Sequence, residues 1–584
     1  MKLLEILTLL SALVALGQGS DITSLVFGKD LDGMPAAFGD FDSDELTDVF
    51  VLKNLTTVQV MFASNEEPLL QSRKGYSCRF DLPVTSVVPG DFDGDAFMDI
   101  LVTTRSKKSN KLTDVYILWG GDHPLNCTDA TVVVLEMKGQ PLAIDYNHDM
   151  IIDLFGSDIN NTRKFWIFNN DRTVTPIKMK PTKDSRSIKM PHSNAFLDLN
   201  NDFLPDLVVT TNKSLELWYG KESGFEFFRD YDISEFIVVG QSLYLDIELM
   251  DRIDLILPVC KDVNCEDSHI YVYLNDKWED MKVNFVDNTN TKWGFAHTPG
   301  KRYIDTITMR GGDFNMDGYP DLLVTLKSTT SGATRSFLLE NTFTDSRGSF
   351  NRTFKVRWNA LNPFYNNDSV MAVFYDFYQD GILDVIFVLK DNDEVFRTAA
   401  FKNSLDYDAN FVKVMVLTGR TNSLYPISAG SLGKKKRTYG TNLPGPSIAY
   451  KTRTQDGSPR SAIAAQLPQS AHFAMNLPFT IFGLGRTPNF IDSLTIGLSN
   501  KSRDWTQIIP NSQMVVIPYP PSDPLKWKVQ LFVTPSKLIL QSAAALTGTC
   551  GLITLIIAAL YWKERREDKI EKLQEAHRFH FDAM

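Results

Sequence analysis

Over the first 410 residues the chain repeats one order of polar and apolar positions. Oxygen-bearing side chains come on alternate residues, and an apolar run follows at once. In the stretch 311–328, Asp313, Asn315, Asp317 and Asp321 stand at positions 1, 3, 5 and 9 of a short loop, with Gly318 at position 6 and Leu322-Leu323-Val324-Thr325-Leu326 behind it. Such a loop is a cage for a hard cation, turned sharply at the glycine. The run behind it reads as a buried strand. An EF-hand is excluded, because position 12 is Val324 instead of a bidentate Glu and the flank is a strand.

The unit occurs seven times. The first copy holds Asp40, Asp42, Asp44 and Asp48, and the second Asp91, Asp93, Asp95 and Asp99. The third holds Asp145, Asn147, Asp149 and Asp153, and the fourth Asp198, Asn200, Asp202 and Asp206. Two copies are worn: the fifth keeps Asp246, Glu248 and Asp254 but has Met250 at position 5, and the seventh keeps Asp376, Asp380 and Asp384 but has Tyr378 at position 3. The first aspartates lie 51, 54, 53, 48, 67 and 63 residues apart, close to the length of one four-stranded propeller blade. Runs such as Phe165-Trp166-Ile167-Phe168 supply further strands. The reading is an all-β chain with a seven-bladed β-propeller over residues 20–410. Acidic loops are also common on surfaces without an ion, so the structural alternative is a set of vestigial loops.

Beyond residue 410 the acidic loops stop and short strand-like runs continue, among them Val412-Lys413-Val414-Met415-Val416-Leu417 and Met514-Val515-Val516-Ile517. They predict a membrane-proximal β-sandwich over residues 411–537. The basic cluster 434–437 reads as a solvated loop, with a processing site as the alternative. Residues 538–562 carry no charge and exceed the span of a bilayer, and Lys563, Arg565 and Arg566 follow. Residues 1–19 have Lys2, an apolar run and small residues Gly17 and Gly19, which is the pattern of a signal peptide. Together these predict a type I single-pass protein with a cytoplasmic tail, 563–584.

Net charge is −11 on 584 residues, which argues against nucleic-acid binding. Cys78, Cys127, Cys260 and Cys265 precede the span and allow three pairings. Cys260 and Cys265 are close enough for a local clip, which leaves Cys78 with Cys127; free thiols are the alternative. Sequons at Asn54, Asn126, Asn160, Asn212, Asn351, Asn367 and Asn500 all precede the span. An enzyme needs a nucleophile with its base, or a metal with an open position. No HExxH, GxSxG or phosphate-binding glycine loop occurs. His148 falls at position 4 of loop three and should point outward, and His472 reads as a packed domain residue. The expectation is a non-enzymatic binding protein.

The loops, with Phe38-Gly39, Pro89-Gly90 and Gly311-Gly312 before them, resemble the FG-GAP repeats of integrin α-subunits. That resemblance implies structural calcium in the loops. The segments 464–498, 507–520, 531–536 and the terminal EKLQEAHRFHFDAM (571–584) resemble the T-cell immunomodulatory protein family, also called linkin, and the layout matches over nearly the whole chain. The resemblance implies a plasma-membrane protein with an extracellular ectodomain that binds protein ligands in adhesion or signalling and modulates immune cells. It also implies cytosolic partners of the tail, such as tubulin or RuvB-like ATPases. The alternative is a membrane-bound assembly factor for other glycoproteins of the secretory pathway.

Overall fold

The structure, a computed structural model, describes residues 19–180, 186–300, 305–344, 350–362, 364, 368–390, 395–404, 409–422, 439–454, 456–470, 474–486, 490–533 and 537–581. The segment 1–18, Asn367, the cluster 434–437 and His472 lie outside the described residues. Apart from the long C-terminal helix, a single turn of helix at Thr23–Phe27 and two short 3-10 turns, the described residues form β-structure, and the chain divides into two units, 1–532 and 533–584.

Each acidic loop joins the first strand of a repeat to the second. Loop one lies between Met34–Gly39 and Asp48–Lys53, loop two between Val84–Gly90 and Asp99–Arg105, and loop six between Met309–Gly312 and Asp321–Ser328. In all seven repeats the ninth loop position is the first residue of the second strand. These second strands are buried along almost their whole length instead of on alternate residues. That is the reason apolar residues run continuously there: both faces are covered.

Four antiparallel strands follow one another in the first repeat, in the order Met34–Gly39, Asp48–Lys53, Thr57–Ala63, Leu70–Arg79. The fourth, fifth and sixth repeats form their own sheets. The second and third share one seven-stranded sheet, because the ten-residue strand Leu135–Ile144 serves both. Its start pairs with Thr113–Leu118 and the rest with Asp153–Ser157. The seventh repeat supplies three strands, and Ser20–Asp21 from the start of the chain adds the fourth by pairing with Phe396–Lys402.

Residues 410–533 form two more sheets. One has the order Thr480–Gly485, Asn410–Val416, Ser512–Ile517, Lys528–Val533, with a parallel pair at its centre; the other has Pro459–Ala465, Ser447–Arg453, Ile491–Leu498, Lys501–Ile508. Val414, Ile448, Leu494 and Val516 lie in one apolar cluster that also takes in Phe92, Met150 and Ile152 of loops two and three. The core of the C-terminal sheets is therefore continuous with the repeats.

The second unit is dominated by the helix Lys537–Phe581. Within it, Ser542–Glu575 contains a window long and apolar enough to cross a membrane, with mean hydropathy 2.1. This supports a single-pass membrane protein. The helix continues past Trp562 into the tail without a break.

Arg163 and Glu216, 8% and 3% exposed, pair between the third and fourth repeats, and Trp218 Nε1 donates to the same carboxylate at 3.1 Å. Removing one partner strands a buried charge. Glu216→Ala should therefore destabilise the protein by about 3–5 kcal/mol, and Arg163→Met with Glu216→Leu by much less. Chemical denaturation of the two variants checks this; equal losses would contradict it.

Candidate metal centres: seven acidic loops

All seven loops share one backbone shape. Position 6 is left-handed at Glu45, Ala96, Met150, Phe203, Asp251, Gly318 and Gly381, with φ between 55° and 92°. Position 4 is left-handed as well, at Ser43, Gly94, His148, Asn201, Leu249, Met316 and Gln379. A left-handed non-glycine residue costs about 1–2 kcal/mol. The cost is offset by a recurrent set of bonds to carboxylates. In loop one, Asp40 Oδ1 accepts from Asp44 N and Oδ2 from Glu45 N, both at 2.9 Å, and Asp44 Oδ1 accepts from Leu46 N. Loops three and four repeat the pattern with Asp145 and Asp198.

The ninth position does something the spacing alone did not reveal. Asp48 accepts from Phe41 N at the loop's start and from Ala63 N on the third strand, both at 2.8 Å. Asp99, Asp153, Asp206, Asp321 and Asp384 make the same two-ended connection. This carboxylate ties the loop to the strand it must lie beside.

Loops one and two bring three carboxylates together: oxygens of Asp40, Asp42 and Asp48 lie within 4.8 Å of one another, as do those of Asp91, Asp93 and Asp99. In loops three, four and six the position-3 amides of Asn147, Asn200 and Asn315 donate to Asp149, Asp202 and Asp317. Asp313 is 4% exposed, and its Oδ1 has no hydrogen-bond partner among the described residues. An all-oxygen donor set with an unsatisfied buried carboxylate oxygen fits a hard divalent cation. Asp40, Asp42, Asp44 and Asp48, and their counterparts in loops two, three, four and six, are the residues that would hold it. Loop five is different: Met250 is 59% exposed, and Arg252 pairs with Asp254 at 2.7 Å.

The electrostatics point the same way. Burial, then the charges of Asp44 and Asp42, push Asp40 up to about 8. Burial and neighbouring carboxylates raise Asp91 and Asp313 to about 7, while Asp48, Asp99 and Asp321 stand well above the ordinary range, burial again being the first cause. His148 is half-buried, and desolvation lowers its pKa.

Every repeat meets the C-terminal sheets at its loop or at the strand leading into it. Phe38 N donates to Gln469 Oε1 at 2.6 Å. Arg420 reaches the carbonyls of Gly94 and Asp149 in loops two and three, at 3.0 and 2.8 Å. Asn500 N donates to Phe203 O in loop four, Ile463 N to Asp246 in loop five, and Gly485 N to Met316 O in loop six. Arg460 also donates to Asp317 O, and Lys413 to Asp376 in loop seven. Gly483 packs so closely that a Cβ there would lie 2.0 Å from Asp313 Oδ2.

Disulfides join Cys78 to Cys127 and Cys260 to Cys265, with Cα–Cα distances of 5.3 and 5.0 Å. The sequon residues Asn54, Asn126, Asn160, Asn212, Asn351 and Asn500 are exposed.

The raised carboxylates give a signed pH prediction. A folded-state pKa above the unfolded 3.8 favours the folded chain below 3.8, and that contribution fades as pH climbs through the folded value of about 8 for Asp40 and about 7 for Asp91. Cation-stripped protein should therefore lose Tm between pH 6 and 8. Saturating calcium should oppose the loss, since the ion needs deprotonated ligands. A Tm that rises with pH in stripped protein would contradict this.

Comparison with known proteins places the chain. The family model described as "ITFG1, C2 domain" matches residues 438–532, which hold most of the C-terminal sheets. The mouse T-cell immunomodulatory protein is 38% identical over 590 residues, covering 97% of this chain and 94% of the mouse protein. The human protein of that name is 37% identical over 610 residues, covering 99% and 97%. Protein linkin of Caenorhabditis elegans is 28% identical over 609 residues, covering 95% and 96%. On identity of this level over nearly its whole length, the chain belongs to the T-cell immunomodulatory protein family.

Proposed function

We propose that this is a type I glycoprotein of the plasma membrane whose extracellular part is a seven-bladed, calcium-braced propeller of the FG-GAP type. It acts as a binding module in adhesion and signalling, and its ectodomain modulates T cells. The observation that carries the reading is the contact between the C-terminal sheets and every repeat. Repeats that each meet the same C-terminal segment, at the loop or at the strand before it, are what blades arranged around an axis would give, and this supports the reading. Ser20–Asp21 supports ring closure, because it completes the sheet of the last repeat from the start of the chain. Relatives carrying the names T-cell immunomodulatory protein and linkin support the functional class.

On this reading the calcium ions are structural and the chain is not an enzyme. The loop side is taken up by the C-terminal sheets, so a protein ligand is bound on the opposite side or along the outer strands. The tail is the segment that meets cytosolic partners, with tubulin and RuvB-like ATPases the expectation from the family. Signal peptide 1–19, propeller 20–410, sandwich 411–537, span 538–562 and tail 563–584 are the proposed divisions, with glycans on the exposed sequons.

Two experiments test this. Cells expressing the full chain should stain with an ectodomain antibody when intact, and with a tail antibody only after permeabilisation. They should also bind T cells in a calcium-dependent way. Retention inside the cell with only high-mannose glycans would favour the assembly-factor reading. Second, calcium should raise the Tm of the full chain in detergent by mass action. Asp317→Ala should lose part of that gain and Asp251→Asn little, because Met250 has already removed the position-5 ligand from loop five. Equal losses, or a Tm indifferent to calcium, would contradict the metal assignment.

A further inference from the structure

Loop seven keeps the common shape although Tyr378 stands where position 3 should offer an oxygen. Gln379 and Gly381 are left-handed at φ 51° and 77°, and Asp376 accepts from the amides of Asp380 and Gly381 at 3.1 and 3.2 Å. A buried positive charge is paired with its position-1 carboxylate, an arrangement found in none of the other loops among the described residues. Lys413 lies on the strand Asn410–Val416 of the C-terminal sheets, and its side chain is 1% exposed. Its Nζ donates to Asp376 Oδ2 at 3.2 Å and to Gln379 Oε1 at 2.6 Å. It also sits 3.9 Å from the centre of the Phe479 ring. An ammonium has three N–H groups and accepts nothing, so two oxygens and a ring face satisfy it.

The other protein cations near loops are not equivalent. Arg73 and Arg172 reach the position-3 carboxylates Asp42 and Asp93 from side chains 45% and 48% exposed, and in loop five Arg252, 45% exposed, reaches the position-9 carboxylate Asp254. In loop seven both partners of the pair are buried, 1% and 0% exposed, and Asp376 is the position-1 carboxylate. That is the group around which the turn is built and to which a metal ion would have to bind.

We propose that the ammonium of Lys413 is the resident cation of loop seven, so that this loop takes no metal and is fastened to the C-terminal sheets by a buried ion pair. The lysine is delivered by the same chain, so this contact does not depend on the concentration of any ion. A buried charge of this kind is strongly unfavourable when unpaired. The pair therefore selects one seating of the C-terminal sheets on the repeats. The inference draws on the calcium reading only for the ion used as probe.

The full chain in detergent tests it by two readouts: bound calcium per chain after equilibrium dialysis, and Tm in chelator. Lys413→Met should lower Tm in chelator by about 5 °C or more, the scale expected when one partner of a buried pair is removed. Lys413→Arg, which keeps a cation, should lose less. Tyr378→Asp restores the missing ligand. With Lys413 present it should leave the calcium count at the wild-type value, and combined with Lys413→Met it should add one ion. An added ion in Tyr378→Asp alone would overturn the proposal. So would no added ion in the double variant, or an unchanged Tm in Lys413→Met. The two readings fail separately. A wild-type chain that binds no calcium ends the assignment of the other loops, whereas the difference between Tyr378→Asp and the double variant still decides loop seven.

Discussion

Carboxylates held out of water within a few ångströms of one another repel, and the repulsion is strong because little solvent screens it. The β-rich part of this protein is organised around that constraint. Backbone amides take up part of the negative charge at positions 1 and 9, and arginines reach some of the position-3 carboxylates from outside. The charge that remains is what a bound cation would offset. The cage geometry, the orphaned Asp313 oxygen and the raised carboxylates are three expressions of the same deficit. The strands follow from it, since the ninth aspartate both closes the loop and fixes where the second strand begins.

Much of this was legible in the sequence. The alternation of oxygen-bearing side chains, the apolar run behind them and the period of about 50 residues located seven loops and seven buried strands. The helix at the C-terminal end was equally plain. Other features leave no compositional mark. Position 4 is left-handed in every loop, yet the residues there are Ser43, His148, Leu249 and Met316 among others, chosen by nothing they have in common. The bond from the ninth aspartate to the end of the third strand or just past it joins residues 14 to 21 apart, such as Asp206 with Gly220 and Asp99 with Gly120, and spacing within a loop cannot show it. That the strand Leu135–Ile144 serves two repeats leaves no mark in its residues. Lys413 did carry a signal. It stands between Val412 and Val414 on a strand and shares a face with Phe411 and Met415, so a charge there had to be exposed or paired.

Apart from Lys413, the joint between the repeats and the C-terminal sheets was not legible, because its contacts are mostly to backbone. Gly94 O, Asp149 O, Phe203 O and Met316 O are acceptors whatever side chain they carry. Such an interface reads the shape of a loop and not its residues. It is therefore sensitive to anything that changes loop shape, and at Gly94 it also leaves no room for a side chain, since a Cβ there would lie 2.7 Å from the Arg420 guanidinium.

The pairing of Ser20 with Lys402 has a consequence for biosynthesis. Roughly 380 residues separate these partners, and at ribosomal speeds of 5–20 residues per second the first strand waits about 20–80 s before its neighbour exists. During that interval the start of the chain has no partner, because the sheet it completes has not been made. A nascent chain in this state offers the unpaired backbone groups of that strand to every other chain in the compartment. The order of synthesis thus leaves a window for chaperone capture that closes only when the two ends of the repeat array meet.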